Sequence, residues 1–380
     1  MTPPYDLGIL GGGQLARMSV QAAQQMGLRC LCLDESGDDS PAGQLTDCIQ
    51  GSIYDSTAIS KVVSACRSVT LENEFIPATT IREACRLADR FPEVIIPGLE
   101  TLATIQDKWL QRQAYAAANL ASPDACLLQT DDPNCAAMIE ERFGFPLVAK
   151  ARRGGYDGKG TRTIRTREEL DALVAQLAKR PEPDEWLIEA FVSFRREVSV
   201  MVYRTPSIEG TFPTMETIQT DHVCDLVFPA GVDASDVAIA AVRSVEGHGL
   251  FGVELFDLGD GQFSINEIAP RPHNTGHYTL DWGGVSQFEQ HVRLATGMNP
   301  APPRGMATAM ANLLGQPHAG DWQSGLRAAV ELVPHAHVHW YGKADAKPGR
   351  KMGHINVAGE DAIEWAVLAR NAFYAAWQSA

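Results

Sequence analysis

The stretch that most constrains this chain is KARRGGYDGKG at residues 150–160, which combines four glycines with four cationic side chains. Glycine lets a backbone approach a ligand closely and adopt positive φ, at an entropic cost that an ordinary surface loop avoids. The preceding FPLVAK is a short apolar run, and the following TRTIRT alternates and carries β-branched residues, so both predict strands. We therefore expect a loop between two antiparallel strands that clamps phosphate oxygens, with a solvated basic turn as the alternative.

The N-terminal segment LGILGGGQLARM predicts a strand, a glycine turn and a helix. Gly11, Gly13 and Ala16 fit the G-x-G-x-x-[GA] spacing, and a second predicted strand ends at Asp34, where a dinucleotide fold places its ribose-binding acid. An NAD site is one hypothesis for this segment, although any strand-helix-strand unit with a tight turn has the same pattern. Further strands separated by helices predict an open parallel sheet.

Two other segments of the first half carry candidate residues. ENEF places Glu72 and Glu74 at the carboxyl end of a predicted strand, where ligands of open parallel sheets bind, with a solvated acidic loop as the alternative. The helical passage TLATIQDKWLQRQAYAAANL contains Lys108, which by itself is typical of a solvated helical charge.

Two alternating strands, GLFGVELFDL and QFSINEIA, carry Glu254 and Glu267 at matching places, with Asn266 beside the second acid. Carboxylate and amide oxygens are hard ligands that suit Mg²⁺. Solvent-facing glutamates are the poorer explanation, because the neighbouring residues are apolar and an acid in such surroundings usually has a cation nearby. The pair therefore predicts a magnesium site.

Glu189 and Glu197 flank a break between two other predicted strands. The apolar chain at 190–192 suits contact with an adenine ring, and carboxylates suit ribose hydroxyls and exocyclic amines as acceptors. A Pro- and Gly-rich loop later supplies Arg271, His273, Asn274 and His277. Hydrogen bonding to a polar ligand is expected there, because a zinc site would need further ligands at suitable spacing.

The section from about residue 306 contains AMANLLGQ and AAVELV as predicted strands and ends in an amphipathic helix. His335, His337 and His339 alternate along a strand, where stacking at a solvated sheet edge is favoured over a metal triad. A second basic cluster, with a solvated charged turn as its alternative, consists of Lys343, Lys347, Arg350 and Lys351.

Composition limits the class of protein. A length of 380 residues predicts two or three domains, and the formal net charge of −15 disfavours nucleic acid and membrane surfaces as partners. The eight cysteines are scattered, and Cys30 and Cys32 fit buried thiols on one face of a strand better than a metal knuckle. The sequence has no apolar run of about 18 residues and no signal-peptide pattern at its start. A cytoplasmic enzyme is therefore expected.

Together these segments resemble the ATP-grasp superfamily, and within it the N5-carboxyaminoimidazole ribonucleotide synthetase family. The most specific matches are GILGGGQLARM, KARRGGYDGKG, EVSV, NEIAPRPHNTGH and YGKADAKPGRKMGHI. The resemblance implies the ATP-grasp fold, of α/β and α+β class, with an N-terminal Rossmann-like parallel-sheet domain, a small lid subdomain and a larger C-terminal antiparallel-sheet domain. We expect these units at residues 1–107, 108–190 and 191–380, the last including a terminal substrate-phosphate subdomain from about residue 306.

The resemblance also implies roles for individual residues. The predicted ATP contacts are Lys108, Lys150, Gly155, Gly158, Glu189, Ala190, Val192, Glu197 and Asn266. The predicted ligands of two Mg²⁺ ions are Glu254 and Glu267. The residues expected around the reacting amine and carboxyl group are Tyr156, Asp157, Arg271, His273 and Asn274. The residues expected to hold a ribonucleotide are Gln14, Glu74, Lys343, Arg350 and Lys351. One departure is the order ENEF at 72–75, where the family often has EFEN.

The implied reaction is ATP- and bicarbonate-dependent carboxylation of the exocyclic amine of 5-aminoimidazole ribonucleotide, in purine biosynthesis. Attack of bicarbonate on the γ-phosphorus would give carboxyphosphate, with Mg²⁺ and lysines stabilising the charge, and Asp157 is the candidate for taking the amine proton. The alternatives are a formate-using ligase of the glycinamide ribonucleotide transformylase type, an NAD-dependent oxidoreductase, and a non-catalytic nucleotide-binding module. The resemblance also favours a homodimer.

Overall fold

A computed structural model describes residues 3–155, 160–179, 185–220, 223–317, 320–343 and 345–378. Its first unit is a parallel sheet of five described strands in the order β3-β2-β1-β4-β5. The strands are β1 (Tyr5–Leu10), β2 (Cys30–Asp34), β3 (Asp47–Gln50), β4 (Cys66–Leu71) and β5 (Ile95–Ile96). The predicted Rossmann-like N-terminal sheet is confirmed.

Helices cover both faces of this parallel sheet, because its strands are apolar on both sides. They are α1 (Gln14–Gln25), α2 (Ser56–Ala65), α3 (Ala78–Leu87) and α4 (Leu99–Ile105). Helix α1 buries Met18, Val20 and Ala23 on one face, whereas α2 and α3 pack on the other. The carboxyl ends of β1 and β4 therefore meet at the edge where Gly11 and Glu72 follow.

The second unit is a small antiparallel sheet in the order β6-β9-β7-β8. Its elements are β6 (Ala125–Leu127), α6 (Cys135–Phe143), β7 (Leu147–Ala151), β8 (Thr161–Ile164), α7 (Arg167–Leu177) and β9 (Trp186–Ala190). Strands β7 and β8 pair antiparallel, so the glycine-rich segment joins them as predicted. Helix α5 (Lys108–Ala117) falls within the expected lid, yet its Tyr115 lies in a core shared with the third unit.

The third unit is a large antiparallel sheet in the order β15-β14-β10-β12-β13-β16-β18-β17, with β11 paired to β10. Its described strands are β10 (Arg196–Arg204), β11 (Glu209–Thr211), β12 (Met215–Thr220), β13 (Val223–Pro229), β14 (Gly249–Gly259), β15 (Gln262–Ala269), β16 (Thr308–Leu314), β17 (His337–Trp340) and β18 (Lys351–Ala358). Its helices are α8 (Ser235–Ser244), α9 (Gln287–Ala295), α10 (Trp322–Leu332) and α11 (Ala362–Gln378). The predicted antiparallel C-terminal domain and the ATP-grasp fold are confirmed.

Helix α8 covers one face of β10, β14 and β15, where Val198, Val200, Val253 and Leu255 are buried. Side chains alternate between the two faces of a strand. The intervening acids Glu197 and Glu254 therefore face away from α8. This is the face on which the candidate site lies.

The predicted strand AAVELV is wrong, because residues 328–332 belong to α10. Asp321 caps this helix by accepting hydrogen bonds from the backbone N–H groups of Gln323 and Ser324, and α10 packs against α11. A short apolar run does not by itself distinguish a strand from one side of a helix.

The terminal part of the chain also contacts the first unit. Tyr341, with 1% of its surface exposed, packs in one apolar cluster with Ala16 and Met18 of α1 and with Phe288 of α9. The loop after β17 is thereby fixed beside the glycine turn. Within the described residues, no helix is long and apolar enough to cross a membrane.

Candidate active site

The candidate site lies where the small and large antiparallel sheets join. Strand β9 ends at Ala190 and β10 begins at Arg196, so residues 191–195 connect the two sheets. Val192 lies in this connection and is half-buried. Glu189 and Glu197 stand on the two sides of the connection, which brings both predicted nucleotide-binding acids to one cleft.

Lys150 of β7 and Glu189 of β9 form a buried ion pair in the cleft. Lys150 Nζ lies 2.8 Å from Glu189 Oε2 and donates to Asn266 Oδ1 at 3.1 Å. Arg112 of α5 donates to Glu189 Oε1 at 2.8 Å and to the Asn266 carbonyl oxygen at 2.8 Å. Burial raises the pKa of Glu189, but Lys150 and Arg112 outweigh that effect and hold the pKa below its usual value. Glu189 is therefore an anion that orients two cations.

Glu254 and Glu267 are register partners on the antiparallel strands β14 and β15. Lys108 Nζ lies 3.4 Å from Glu267 Oε2. Burial raises the pKa of Glu267, but Lys108 and Lys150 outweigh that effect and the pKa is lowered. Burial, Glu267 and Glu197 together raise the pKa of Glu254 to about 7.

These two carboxylates fit a magnesium site. The raised pKa of Glu254 means that its charge lacks sufficient compensation from the chain itself, and a divalent cation would supply it. Mg²⁺ is commonly held by one or two carboxylates plus substrate phosphates and water. Among the described residues, no group of three or more His, Cys, Asp or Glu is arranged to hold a metal ion without such help.

Asp107 anchors the start of the glycine-rich loop. Its buried carboxylate accepts hydrogen bonds from Arg152 Nε at 2.7 Å and from Arg153 Nη2 at 2.8 Å. It also caps α5 by accepting from the Trp109 and Leu110 backbone N–H groups. Of the three loop cations that the structure describes, Arg152 and Arg153 thus pair with Asp107, and Lys150 faces the cleft.

Arg271 and Glu74 link the large sheet to the parallel sheet. Arg271 donates to both carboxylate oxygens of Glu74, at 2.9 Å from Nη2 to Oε1. His273 lies nearby, with Nε2 3.6 Å from Glu254 Oε1 and Nδ1 2.9 Å from Thr275 Oγ1. The loop after β15 therefore connects the Glu254–Glu267 pair of the large sheet to the ENEF segment of the first unit.

The glycine turn after β1 is closed by carboxylates of the chain itself. Glu72 Oε2 accepts the Gly13 N–H at 2.7 Å and Oε1 accepts the Leu15 N–H at 3.2 Å, while Asp34 Oδ2 accepts the Gly12 N–H at 2.9 Å. In a dinucleotide site these donors would face a pyrophosphate. Their occupation disfavours the NAD hypothesis.

Lys343 lies in the loop that packs on α1. Its Nζ donates to the Lys351 carbonyl oxygen at 2.6 Å and stands 5.5 Å from the centre of the Tyr341 ring. Burial raises the pKa of Glu72 at the glycine turn, and the positive charge of Lys343 opposes that effect, so Lys343 lies on the side of the turn. Arg350 is exposed and donates to the Asp345 carbonyl oxygen at 3.0 Å.

The chain matches known protein families in three consecutive segments. Three family models match in succession: a ribonucleotide synthetase preATP-grasp domain at 5–106, an ATP-grasp domain at 113–288 and a phosphoribosylaminoimidazole carboxylase C-terminal domain at 308–366. The N5-carboxyaminoimidazole ribonucleotide synthase of Synechococcus elongatus is 37% identical, over 94% of this chain and 90% of that protein. The chain belongs to the N5-carboxyaminoimidazole ribonucleotide synthase family of ATP-grasp ligases.

Fungal relatives are longer. The phosphoribosylaminoimidazole carboxylase of Ogataea methanolica is 38% identical over 93% of this chain, but the match covers 66% of that protein. The chain thus spans about two thirds of the length of the fungal carboxylases that it matches.

Solved structures of the family superpose on the whole chain. The Aspergillus clavatus synthase in complex with ADP and 5-aminoimidazole ribonucleotide gives a TM-score of 0.86 at 29% identity, with both chains fully covered. The ADP complex of another N5-carboxyaminoimidazole ribonucleotide synthetase gives a TM-score of 0.85 at 32% identity, covering 98% of this chain and 97% of that one.

The structure brings most of the residues predicted for a synthase of this family into one cleft. Lys108, Lys150, Glu189, Asn266 and Glu267 are linked by direct contacts. Asn274 is different, because its buried amide exchanges hydrogen bonds with the amide of Asn312, an arrangement that suits a role in holding the loop. Its predicted contact with the reacting groups stays a prediction. Three predicted site residues lie outside the described residues: Tyr156, Asp157 and Gly158.

The predicted histidine sites also have definite places. His337 and His339 both face Asp281, with His339 Nε2 2.7 Å from Asp281 Oδ2, and His339 stacks on His354. His277 is buried against Gln287. They serve packing and hydrogen bonding in the described structure, and none belongs to a metal cluster there.

Sequence reasoning missed Asp107 and Arg112. An Asp directly before a helical run is a signal for a helix cap, and Arg112 follows Lys108 by one helical turn on the same face. Neither signal reveals the remote partners, which come from β7, β9 and β15.

Proposed function

We propose that this chain catalyses ATP- and bicarbonate-dependent carboxylation of the exocyclic amine of 5-aminoimidazole ribonucleotide, with release of ADP and phosphate. One observation carries the proposal: buried opposite charges are gathered at the nucleotide end of the cleft, between the sheets and at the glycine turn. Lys150 contacts Glu189, Lys108 contacts Glu267, Arg271 binds Glu74, and Glu72 closes the glycine turn. Such an arrangement suits an enzyme that joins two polyanionic substrates.

The nucleotide end has the charge distribution that phosphoryl transfer needs. Lys108 and Lys150 would contact the ATP phosphates, and Glu254 and Glu267 would hold Mg²⁺. When bound, Mg²⁺ neutralises charge on the phosphate oxygens. The buried Glu189 holds Lys150 and Arg112 in ion pairs at the cleft. The connection at 190–192 and Glu197 would bind adenine and ribose, with Gly155 and Gly158 beside the phosphates.

The carboxyl chemistry needs a nucleophile, a dry site and a base. A bicarbonate oxygen would attack the γ-phosphorus and form carboxyphosphate, and the lysines would stabilise the charge of the transferring group. Carboxyphosphate or CO2 from it would then react with the exocyclic amine. Asp157 is the proposed acceptor of the amine proton, with Tyr156, Arg271, His273 and Asn274 around the reacting groups. A closed glycine-rich loop would exclude water.

The ribonucleotide end lies between the first and third units. Gln14 begins α1, and Lys343 stands in the loop that Tyr341 fixes against this helix. Lys343, Arg350 and Lys351 would bind the 5′-phosphate, and Gln14 and Glu74 the remaining polar groups. We also propose a homodimer in the cytoplasm, as expected from the resemblance.

The direct test is ATP hydrolysis with and without 5-aminoimidazole ribonucleotide and bicarbonate. We expect ADP release to depend on both compounds, and the product to carry an added carboxylate when analysed promptly by mass spectrometry. If neither compound changes ADP release, the proposal fails. In a parallel assay with formate in place of bicarbonate, a formyl group on the product would instead identify the formate-using type of ligase.

The variant Lys343→Ala tests whether the cleft has separate nucleotide and ribonucleotide ends. We expect the KM for the ribonucleotide to rise far more than the KM for ATP, because Lys343 lies at the glycine turn and away from the nucleotide end. Lys347→Ala is the matched control, since this lysine is in the same loop but exposed beside Asp345. An equal effect of Lys343→Ala on both KM values would contradict the assignment.

A further inference from the structure

Two thiols of the parallel sheet lie side by side. Cys32 of β2 and Cys48 of β3 are register partners in parallel strands, so their side chains leave the same face of the sheet. Both belong to the apolar cluster beneath α1. All eight cysteines are described and free, and no other two of them are register partners.

The spacing suits a covalent bond. Neighbouring strands lie about 4.8 Å apart, which is inside the range of about 4.4 to 6.8 Å between the Cα atoms of a disulfide. Cys30 is also buried on this face, but its partner in the neighbouring strand β1 is Leu7.

The two thiols differ in accessibility. Cys32 is fully buried, whereas Cys48 is half-buried. The hydrogen bond from Cys32 and another from Ser40 lower the pKa of Cys48 despite its partial burial, while the same pair interaction and burial raise the pKa of Cys32. Cys48 is the more acidic and more accessible thiol, and Cys32 beside it is fully buried. This arrangement is typical of an oxidisable cysteine with a resolving cysteine as its partner.

We propose that Cys32 and Cys48 are a redox modification site, which closes to an intramolecular disulfide when the protein meets a peroxide. The Cys48 thiolate attacks one peroxide oxygen, the O–O bond breaks, and Cys48 sulfenic acid and hydroxide form. The Cys32 sulfur then attacks the Cys48 sulfur, and hydroxide leaves and takes the thiol proton as water. In total, two thiols and one hydrogen peroxide give one disulfide and two waters.

The disulfide would act on the glycine turn. Strand β2 continues from Cys32 to Asp34, which accepts the Gly12 N–H, and the segment before β3 donates from Ala42 to the Gly12 carbonyl oxygen. Drawing the Cys32 and Cys48 sulfurs to bonding distance beneath α1 would shift both supports of the turn that precedes Gln14. We therefore expect weaker ribonucleotide binding in the oxidised protein, an effect that rests on the proposed function.

The test is peptide mass spectrometry of the full chain after treatment with hydrogen peroxide, with free thiols blocked before digestion. We expect a peptide pair linked through Cys32 and Cys48 that thiol reductant separates, and its loss in Cys48→Ser. Cys85→Ser is the matched control, because Cys85 is buried in the other core of the same unit, and it should keep the linked pair. Irreversible oxidation of Cys48 without linkage, or linkage through Cys30, would overturn the proposal.

The second measurement compares KM values of reduced and oxidised wild type. We expect a higher KM for the ribonucleotide and an unchanged KM for ATP after oxidation, reversed by reductant. A linked protein with unchanged KM values would overturn the effect on the turn. Peptide masses report the disulfide independently of enzyme activity. A failure of the proposed carboxylation would therefore leave the linkage result valid, and the two failures can be told apart.

Discussion

The acidic side chains of the cleft differ in how their charge is balanced. Glu189 has Lys150 and Arg112, and Glu74 has Arg271, each within hydrogen-bonding distance. Glu254 faces Glu267 across two strands, and its pKa is raised to about 7 by burial and by like charges. This residue is therefore the one where a bound cation changes the local energy most.

Glu254→Gln should weaken binding of a divalent cation in the ADP complex by roughly tenfold or more, since a carboxylate ligand is lost from a site with only one or two. Electron paramagnetic resonance of Mn²⁺, titrated into protein with saturating ADP, measures this directly. Glu364→Gln on the exposed surface of α11 makes the same charge change away from the cleft and should leave the affinity unchanged. Unaltered Mn²⁺ binding in Glu254→Gln would exclude this residue as a ligand.

Gly13→Ala tests the closure of the glycine turn. A Cβ at this position would lie 2.2 Å from Glu72 Oε1, so the carboxylate must leave the backbone donors that it accepts from. Gly98 offers a matched control, because it also caps a helix at negative φ and a Cβ added there would meet no neighbouring atom within 4 Å. We expect Gly13→Ala to lower the midpoint of thermal unfolding and raise the KM for the ribonucleotide, with little effect from Gly98→Ala.

At the scale of secondary structure elements, α5 and the glycine-rich loop are joined through one side chain. Asp107 ends the turn before α5, and both arginines of the loop bind it. The backbone is joined as well, because Lys108 N–H donates to the Arg152 carbonyl oxygen at 2.9 Å. The loop therefore starts from a fixed point that also positions Lys108.

Asp107→Asn should destabilise the fold by about 2 kcal/mol, because Arg152 loses its buried counter-charge and keeps only the exposed Glu185, while Arg153 is itself exposed. Asparagine still caps a helix well, so the loss of the cap contributes little. Asp321→Asn at the start of α10 is the matched control, since Asp321 caps its helix at an exposed position. Urea unfolding measures both variants, and equal losses in the two would contradict the ion-pair argument.

At the scale of the whole molecule, three buried histidines lie at the packed junctions between units. His291 of α9 shares a hydrogen bond with Thr70 of β4, and His354 of β18 packs against His277. Burial lowers the pKa of His291 to about 4, and it lowers the pKa values of His277 and His354 well below the usual range. All three are neutral in the folded protein near neutral pH.

This predicts a loss of stability in acid. Below the unfolded pKa of about 6.5, the unfolded chain binds protons that the folded chain does not, so stability falls with pH by about 1.4 kcal/mol per unit for each imidazole. For His291 the loss runs from about pH 6.5 down to its folded pKa of about 4. Urea unfolding at several pH values gives the free energy of unfolding as a function of pH. Between about pH 6.5 and pH 4 this free energy should fall less steeply with decreasing pH in His291→Gln than in wild type. Identical slopes would rule out a neutral buried imidazole at this position.

Local sequence patterns correctly predicted the secondary structure elements that depend mainly on residues close together in the chain. The strand-turn-helix opening, the hairpin around the glycine-rich loop and the paired strands of Glu254 and Glu267 all follow from periodicity and turn residues. AAVELV failed because a six-residue segment with five apolar residues fits both a strand and a helix, and only packing against α11 distinguishes the two.

By itself the sequence determined the parallel sheet, the strand pairs that carry the glycine-rich loop and the Glu254–Glu267 pair, and the residue types of a candidate phosphate and magnesium site, since these depend on local periodicity and on motifs. The family resemblance implied the two antiparallel sheets. For the glycine-rich loop the sequence placed four cations together, but only the tertiary structure decided the partners of the three that it describes. Arg152 and Arg153 bind Asp107, whereas Lys150 faces Glu189 and Asn266. The reason is physical: an ion pair depends on distance in space, and these partners come from α5, β9 and β15, which local sequence patterns do not relate to one another.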